Sequence, residues 1–142
     1  MKAQLLGAWD LVSFSVTDST GKVSYPFGAD AVGVLMYDAS GRMAAQLGRR
    51  DRPMFKSGDQ QKGTDEEVRL AVQGYVAYFG AFEVNEDVGI AVHKVKGGLF
   101  PNWNGTDQVR HVKLEGDRLT IEVSPTRWGG AKAVARLVWQ RA

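Results

Sequence analysis

The sequence predicts an all-β chain closed into an antiparallel up-and-down barrel of about eight strands, with one α-helix, about residues 64–77, packed on it. Three observations predict this fold. Short segments alternate apolar and polar residues between turns, the chain opens on a strand containing Gly7-x-Trp9, and a single segment has helical periodicity. At 142 residues the chain is most simply one domain, 1–142, large enough to bury a core without disulfides, and it contains no cysteine.

The first predicted strand, residues 5–14, carries two residues suited to closing one end of a barrel. Gly7 has no Cβ, so a ring or another backbone can approach it, and the Trp9 indole is large enough to plug the opening. A guanidinium over that ring would seal the plug by a cation–π contact, and the last strand offers Arg136 and Arg141 for this purpose. Pairing of the first and last strands would remove the open edges of the sheet.

Turn-forming residues divide the rest of the chain into further strands. These predicted strands span residues 32–37, 42–47, 78–84, 89–96, 108–114, 118–123 and 133–140. The segment 48–63 is predicted to be a long loop and a candidate lid, and 97–106 a loop folded inward by its apolar residues. A further loop is expected through Pro125 and Gly130.

A capping box predicts where the helix begins. Thr64 can accept a hydrogen bond from the amide of Glu67, whose side chain can reach back, and acidic residues in the first turn suit the helix dipole. An apolar stripe at spacings of three and four then predicts a face that docks on the barrel, formed by Val68, Ala71, Val72, Tyr75, Val76 and Phe79.

Charge and hydropathy exclude several classes of partner. The net charge is +2, and the one dense basic group, residues 49–52, is interrupted by Asp51, so nucleic acid is not an expected partner. That group is either a solvated loop or an anion contact at a barrel mouth. The sequence contains no apolar run of the roughly 18 residues that a membrane span needs and no signal-peptide pattern at its start, so a cytoplasmic location is expected.

Five segments together resemble the lipocalin-like domain proteins of bacteria and fungi. They are residues 6–13, 33–43, 78–84, 99–106 and 137–141. The resemblance implies a lipocalin-like β-barrel with a central cavity for a small, largely apolar molecule, and it leaves activity open, because such barrels serve as carriers and as cyclases. Where members of the family often carry paired histidines, this chain has His93 followed by Lys94, so a two-histidine site is not expected.

Strand alternation places one charge inside the predicted barrel. In strand 118–123, Leu119 and Ile121 face inward, and Arg110 shares the inward face of the partner strand. A buried guanidinium requires a partner, which Glu83, a carbonyl group or an acidic group of a ligand can supply. A structural ion pair and ligand recognition are both open for Arg110.

The acid–base candidates are His93, Tyr78 and Glu83. The same alternation turns His93 inward and His111 outward, so the two histidines do not form a metal site. His93 is either a core or surface histidine, or an acid–base or recognition group. Nucleophile, dinucleotide and phosphate-loop motifs are absent from the sequence, so neither covalent catalysis nor a cofactor is predicted.

Aromatic residues can line the cavity or fill the core. The candidates are Tyr37, Tyr75, Tyr78, Phe82, Phe100, Trp103 and Trp128. Three functions follow. The first is binding of a small hydrophobic or amphipathic molecule, with Arg110 or His93 at its polar end. The second is a non-covalent cyclase or isomerase acting on a natural-product-like substrate in the same cavity. The third is a structural or interaction barrel without ligand that presents the helix, with a homodimer as its self-associating form.

Overall fold

The computed structural model describes residues 1–128 and 130–142, with side chains for all of these except 124–128 and 131. Nine strands occur in this part of the chain: β1 (Gly7–Asp18), β2 (Val23–Ser24), β3 (Val32–Tyr37), β4 (Arg42–Gly48), β5 (Tyr75–Asn85), β6 (Ile90–Gly98), β7 (Asp107–Glu115), β8 (Arg118–Trp128) and β9 (Ala131–Arg141). The α-helices are α1 (Lys2–Leu5) and α2 (Asp65–Gln73), and 3-10 turns span Gln60–Lys62, Glu86–Val88 and Pro101–Trp103. None of the described helices is long and apolar enough to cross a membrane.

The strands form a closed antiparallel barrel. Each strand from β3 to β9 pairs with the next, and β1 pairs with both β3 and β9, so eight strands complete the wall. Trp9 lies in both closing ladders, opposite Leu35 of β3 and Arg141 of β9. The two-residue β2 is an extra strand that pairs with Val16 and Thr17, near the C-terminal end of β1. The predicted all-β barrel is confirmed.

Alternation along the strands places the core inside the barrel. In β4, Met43, Ala45 and Leu47 are buried, whereas Ala44 and Gln46 lie on the other face. One buried cluster surrounds Trp9 and includes residues of most strands, and a second contains Phe14 of β1. The apolar side chains that alternate with polar ones along each strand are therefore the side chains that face the interior.

The predicted helix boundary and its docking stripe are wrong. The capping box at Thr64 forms as expected, but α2 ends at Gln73 because Gly74 caps it, and Tyr75 already starts β5 opposite Gly48. None of the α2 residues is buried, and Val72 remains 47% exposed. The aromatic and β-branched residues that seemed to continue the helical stripe are strand formers that pair with β4 instead.

One loop prediction also differs from the structure. The segment after residue 123 continues as β8 to Trp128, because a register shift between Val123 and Thr126 lets the strand pass Pro125.

The basic group at 49–52 belongs to a loop: Arg49 pairs with Asp51 and also donates a hydrogen bond to the Pro26 carbonyl. This group ties two loops together at the surface.

One end of the barrel is plugged by Trp9. The indole is fully buried, and its Nε1 donates a hydrogen bond to the Leu5 carbonyl at 2.9 Å. The Arg141 guanidinium lies 4.2 Å from the ring centroid and donates to the Leu6 carbonyl. Gly7 has φ +117°, a backbone conformation that residues with a side chain rarely adopt, whereas a Cβ there would lie at an ordinary contact distance of 3.5 Å from Nη1 of Arg141. Arg141 therefore lies over the plug from the outside.

Replacing Arg141 with alanine should destabilise the protein by about 2 kcal/mol, through loss of the cation–π contact and of a charged hydrogen bond. Arg136 provides the control, because it is exposed and pairs with Glu122 on the surface at 3.7 Å. Arg136→Ala should change the free energy of unfolding by less than about 1 kcal/mol. Urea denaturation of both variants measures the difference; equal effects would mean that Arg141 does not stabilise the plug.

Candidate binding cavity

A cavity of about 600 Å³ lies within the barrel. Its walls are mostly apolar and include Leu35, Ala45, Leu47, Ile121, Leu137 and Trp139. Val72 of α2 and the segment 99–101 also line it, and Val72, Leu99 and Phe100 are at the same time exposed to solvent. Residues that touch both cavity and solvent mark an opening, so we place the mouth of the cavity between α2 and the segment 99–101.

A buried chain of hydrogen bonds borders the cavity. The Tyr37 hydroxyl lies 2.6 Å from Nε2 of His93, and the Tyr78 hydroxyl lies 2.7 Å from Nδ1 of the same ring. These three side chains come from β3, β6 and β5, and the inward alternation of each strand brings them together. His93 is only 1% exposed. Sequence alternation predicted an inward His93, but it gave no sign that two tyrosines would hold it.

Burial keeps the three side chains of this hydrogen-bond chain uncharged. Desolvation, with a smaller contribution from the nearby Arg110 charge, lowers the pKa of His93 to about 3. Burial raises the pKa of Tyr37, and that of Tyr78 is raised by burial against the opposing effect of Arg110. At neutral pH the imidazole and both phenols therefore carry no net charge, and the chain acts as a set of neutral donors and acceptors.

Arg110 is a charged residue of the cavity wall. It is 6% exposed and donates a hydrogen bond to the Val109 carbonyl at 3.2 Å. Its guanidinium lies 5.6 Å from the Trp103 ring centroid and 6.0 Å from that of Tyr78. Among the residues whose side chains are described, no carboxylate lies within 4.0 Å of it. Its contacts among the described residues are two aromatic rings, the Val109 carbonyl and the Tyr78 hydroxyl.

Glu83 is not the partner of Arg110. In β5 the alternation buries Phe82 and turns Glu83 outward, where its side chain is 71% exposed and lies 4.0 Å from Lys94. Of the three partners considered from the sequence, the carbonyl is present and the carboxylate is not. The placement of Glu83 outside the barrel also separates it from His93 and Tyr78 as a candidate acid or base.

The remaining sequence candidates divide into two groups. Tyr75, Tyr78, His93, Phe100, Trp103 and Arg110 line the cavity. Tyr37 and Phe82 do not line it; their rings pack against each other at 4.6 Å in the core behind it. The side chain of Trp128 lies outside the described residues. Tyr37 therefore reaches the cavity only through His93.

Two polar cavity residues were missed from the sequence. Gln73 lies at the end of α2 and contacts the cavity because that helix is shorter than predicted. Trp139 lines the cavity and is 2% exposed, and its Nε1 has no acceptor among the described residues. Alternation with Leu137 would have pointed to an inward Trp139, but the sequence does not reveal that its donor is unpaired.

A closed barrel around an apolar cavity with a few convergent polar groups defines a class: β-barrel proteins that bind small molecules. The family profile of the lipocalin-like domain matches residues 6–142. The chain belongs to this lipocalin-like domain family, as the resemblance implied. It is also 33% identical over 106 residues to the 4'-hydroxy-3'-methoxypropiophenone carrier protein ppsC of Aspergillus oryzae, an alignment that covers 70% of this chain and 96% of the relative.

Proposed function

We propose that this protein binds and carries a small, largely apolar aromatic molecule in the barrel cavity. The observation that carries the proposal is the cavity of about 600 Å³, which lies within the range of about 300–1,000 Å³ typical of small-molecule sites. Apolar strand residues form most of its wall, so burial of an apolar ligand supplies the binding free energy. The few polar side chains orient the ligand.

Two features support an aromatic ligand. Trp103 packs edge-on against Tyr78 at 5.2 Å and against Phe100 at 5.9 Å, so ring faces and edges border the space beside the mouth. The relative ppsC is named as the carrier of an aromatic ketone. Carriage of a molecule of the same chemical class is the simplest function that the two proteins could share.

Acid–base catalysis is the second candidate, and it rests on Tyr78 and His93 lining the cavity. The pKa directions oppose it. A general base works best with a pKa near the ambient pH, whereas the pKa of His93 is lowered to about 3 and that of Tyr78 is raised. Neutral groups with these pKa values position a ligand better than they exchange protons with it. A cytoplasmic location and a homodimer formed through α2 stay predictions.

A paired substitution in β4 tests the proposal. Ala45 is buried and lines the cavity, whereas its neighbour Ala44 faces outward between Met36 and Phe79, which are both exposed. Ala45→Phe should fill part of the cavity and weaken binding of 4'-hydroxy-3'-methoxypropiophenone at least tenfold, about 1.4 kcal/mol or more. Ala44→Phe should leave affinity within about twofold, since it adds the same ring outside the barrel.

Isothermal titration calorimetry measures both affinities, and thermal melts establish that both variants fold. Native mass spectrometry of protein purified gently from its own cells then identifies a natural ligand as an adduct that departs on denaturation. Equal affinities for the two variants would place binding outside the cavity and contradict the proposal.

A further inference from the structure

The Tyr37–His93–Tyr78 chain has more protons than its two contacts use. A neutral imidazole carries one N–H, and two neutral phenols carry two O–H groups, which makes three protons. Each of the two contacts, at 2.6 and 2.7 Å, uses one. One phenol therefore accepts from the imidazole and retains an O–H that must be donated elsewhere.

The cavity decides which tyrosine retains the spare proton. Tyr37 is 2% exposed, does not line the cavity, and has no second hydrogen-bond partner among the described residues. Tyr78 lines the cavity. A spare O–H on Tyr37 would be buried without an acceptor, which costs about 1–3 kcal/mol. The favoured arrangement is therefore Tyr37 donating to Nε2, Nδ1–H donating to Tyr78, and the Tyr78 hydroxyl donating into the cavity.

Arg110 adds a positive charge beside this donor. Its guanidinium has five N–H groups, and its acceptors among the described residues are the Val109 carbonyl and the Tyr78 hydroxyl. The titratable and charged groups around it are Tyr78, His93 and, behind them, Tyr37, none of which is negative at neutral pH. A buried cation is costly without a counter-charge, so this part of the cavity favours an anion.

Trp139 supplies an independent observation of the same kind. Its indole N–H is a donor only, it is buried, and the described residues offer it no acceptor. Tyr78, Arg110 and Trp139 thus each contribute a buried donor to the cavity wall, which also contains the less buried amides of Gln73 and Gln108. A ligand complementary to them carries acceptor oxygens.

We propose that the cavity selects molecules with an acidic oxygen and binds them as the oxyanion, held between the Arg110 guanidinium and the Tyr78 hydroxyl. The inference rests on the proposed function and extends it to the ionisation state of the ligand. A phenolate and a carboxylate share this chemistry, so the test includes both. His93 acts here as a positioning residue, because it accepts from Tyr37 and thereby turns the Tyr78 proton toward the ligand.

The test compares ligands that differ only in the acidic proton. The first pair is 4'-hydroxy-3'-methoxypropiophenone and its 4'-O-methyl ether, and the second is 3,4-dimethoxybenzoic acid and its methyl ester. A phenolate absorbs at longer wavelength than its phenol, so titration of the bound ligand reads its pKa directly. We expect the pKa of the bound phenol to fall by at least one unit and the phenolate to bind at least tenfold tighter than the ether.

Variants assign the effect to the two residues. Arg110→Met should abolish the lowering of the ligand pKa, Tyr78→Phe should reduce it, and Arg118→Met should leave it unchanged because Arg118 is exposed and contacts Gln140. The melting temperature of ligand-free Arg110→Met should equal or exceed that of the wild type, because methionine removes a buried charge for which the described side chains provide no counter-ion. A structural ion-pair role would instead lower it.

The outcomes separate this inference from the proposed function. If the ether and the ester bind as tightly as the phenol and the acid, and the ligand pKa does not move, the oxyanion proposal is wrong while the cavity remains a binding site. If none of the four molecules binds, both proposals are contradicted. The wild-type comparison needs no variant, so a failure of Arg110→Met to fold would not prevent a decision.

Discussion

Replacing His93 with glutamine should abolish most of the decrease in the free energy of unfolding that the wild type shows between pH 6.5 and 4.5. His93 has a pKa of about 3 in the folded chain against an ordinary value of 6.5. Below pH 6.5, His93 therefore binds a proton in the unfolded chain but stays neutral in the folded chain. The stability due to this difference is fully present above pH 6.5 and is lost as the pH falls toward 3.

The size of the effect follows from one proton. Its slope approaches 1.4 kcal/mol per pH unit, so the wild type should lose about 2 kcal/mol between pH 6.5 and 4.5 on account of His93 alone. Carboxylates with lowered pKa values, such as Asp18 and Glu67, lose their contribution at lower pH, below the ordinary values of 3.8 and 4.5. The window above pH 4.5 thus isolates the histidine.

The second histidine is a matched control. His111 is exposed on β7, so His111→Gln should leave the acid-side profile of the wild type unchanged. Urea denaturation at intervals between pH 7 and 4.5 gives the free energy of unfolding for all three proteins. A His93→Gln variant with the same pH slope as the wild type would show that His93 takes up its proton as easily in the folded chain as in the unfolded chain.

Replacing Gly80 with alanine should destabilise the barrel by about 3 kcal/mol or more, because the new methyl group has no space. A Cβ at this position would lie 1.9 Å from the Lys94 carbonyl oxygen and 3.0 Å from the Lys96 nitrogen. Both are backbone atoms of β6. The register of the pairing between β5 and β6 shifts at this point, between Phe79 and Gly80 of β5. The strands would have to separate beside Tyr78 to admit the methyl group.

Gly97, on the partner strand, provides the comparison. A Cβ there would lie 3.0 Å from the Phe79 ring, which is 55% exposed and can turn away. Gly97→Ala should therefore cost less than about 1 kcal/mol. Thermal and urea denaturation of the two variants test this; similar losses of stability at both positions would contradict the assignment of the effect to the Lys94 backbone.

Local sequence signals predicted most of the barrel. The capping box at Thr64 forms with both of its hydrogen bonds, and the predicted strands 32–37 and 42–47 pair as β3 and β4. Alternation placed His93 and Arg110 inside, and both are buried. These features depend on residues adjacent or nearly adjacent in the chain, so the sequence alone contains the physics that determines them.

Features that depend on pairing between distant strands could not be predicted. The contact of Tyr37 with His93 joins β3 to β6, and its existence depends on register across two further strands. Glu83 was considered as a partner for Arg110 because of its charge. It follows the inward-facing Phe82 in β5, so its own side chain points outward. At α2 an apolar spacing of three and four persisted past Gly74, where pairing with β4 overrode the helical period.

The ladder between β1 and β9 also governs when the cavity comes into existence. Trp9 pairs with Arg141, so the wall is completed by strands from opposite ends of this sequence, and contacts of such long range slow the folding of a chain. Ala135, Leu137 and Trp139 of β9 form part of the cavity wall. A nascent chain therefore has no closed cavity for a small molecule until β9 has left the ribosome.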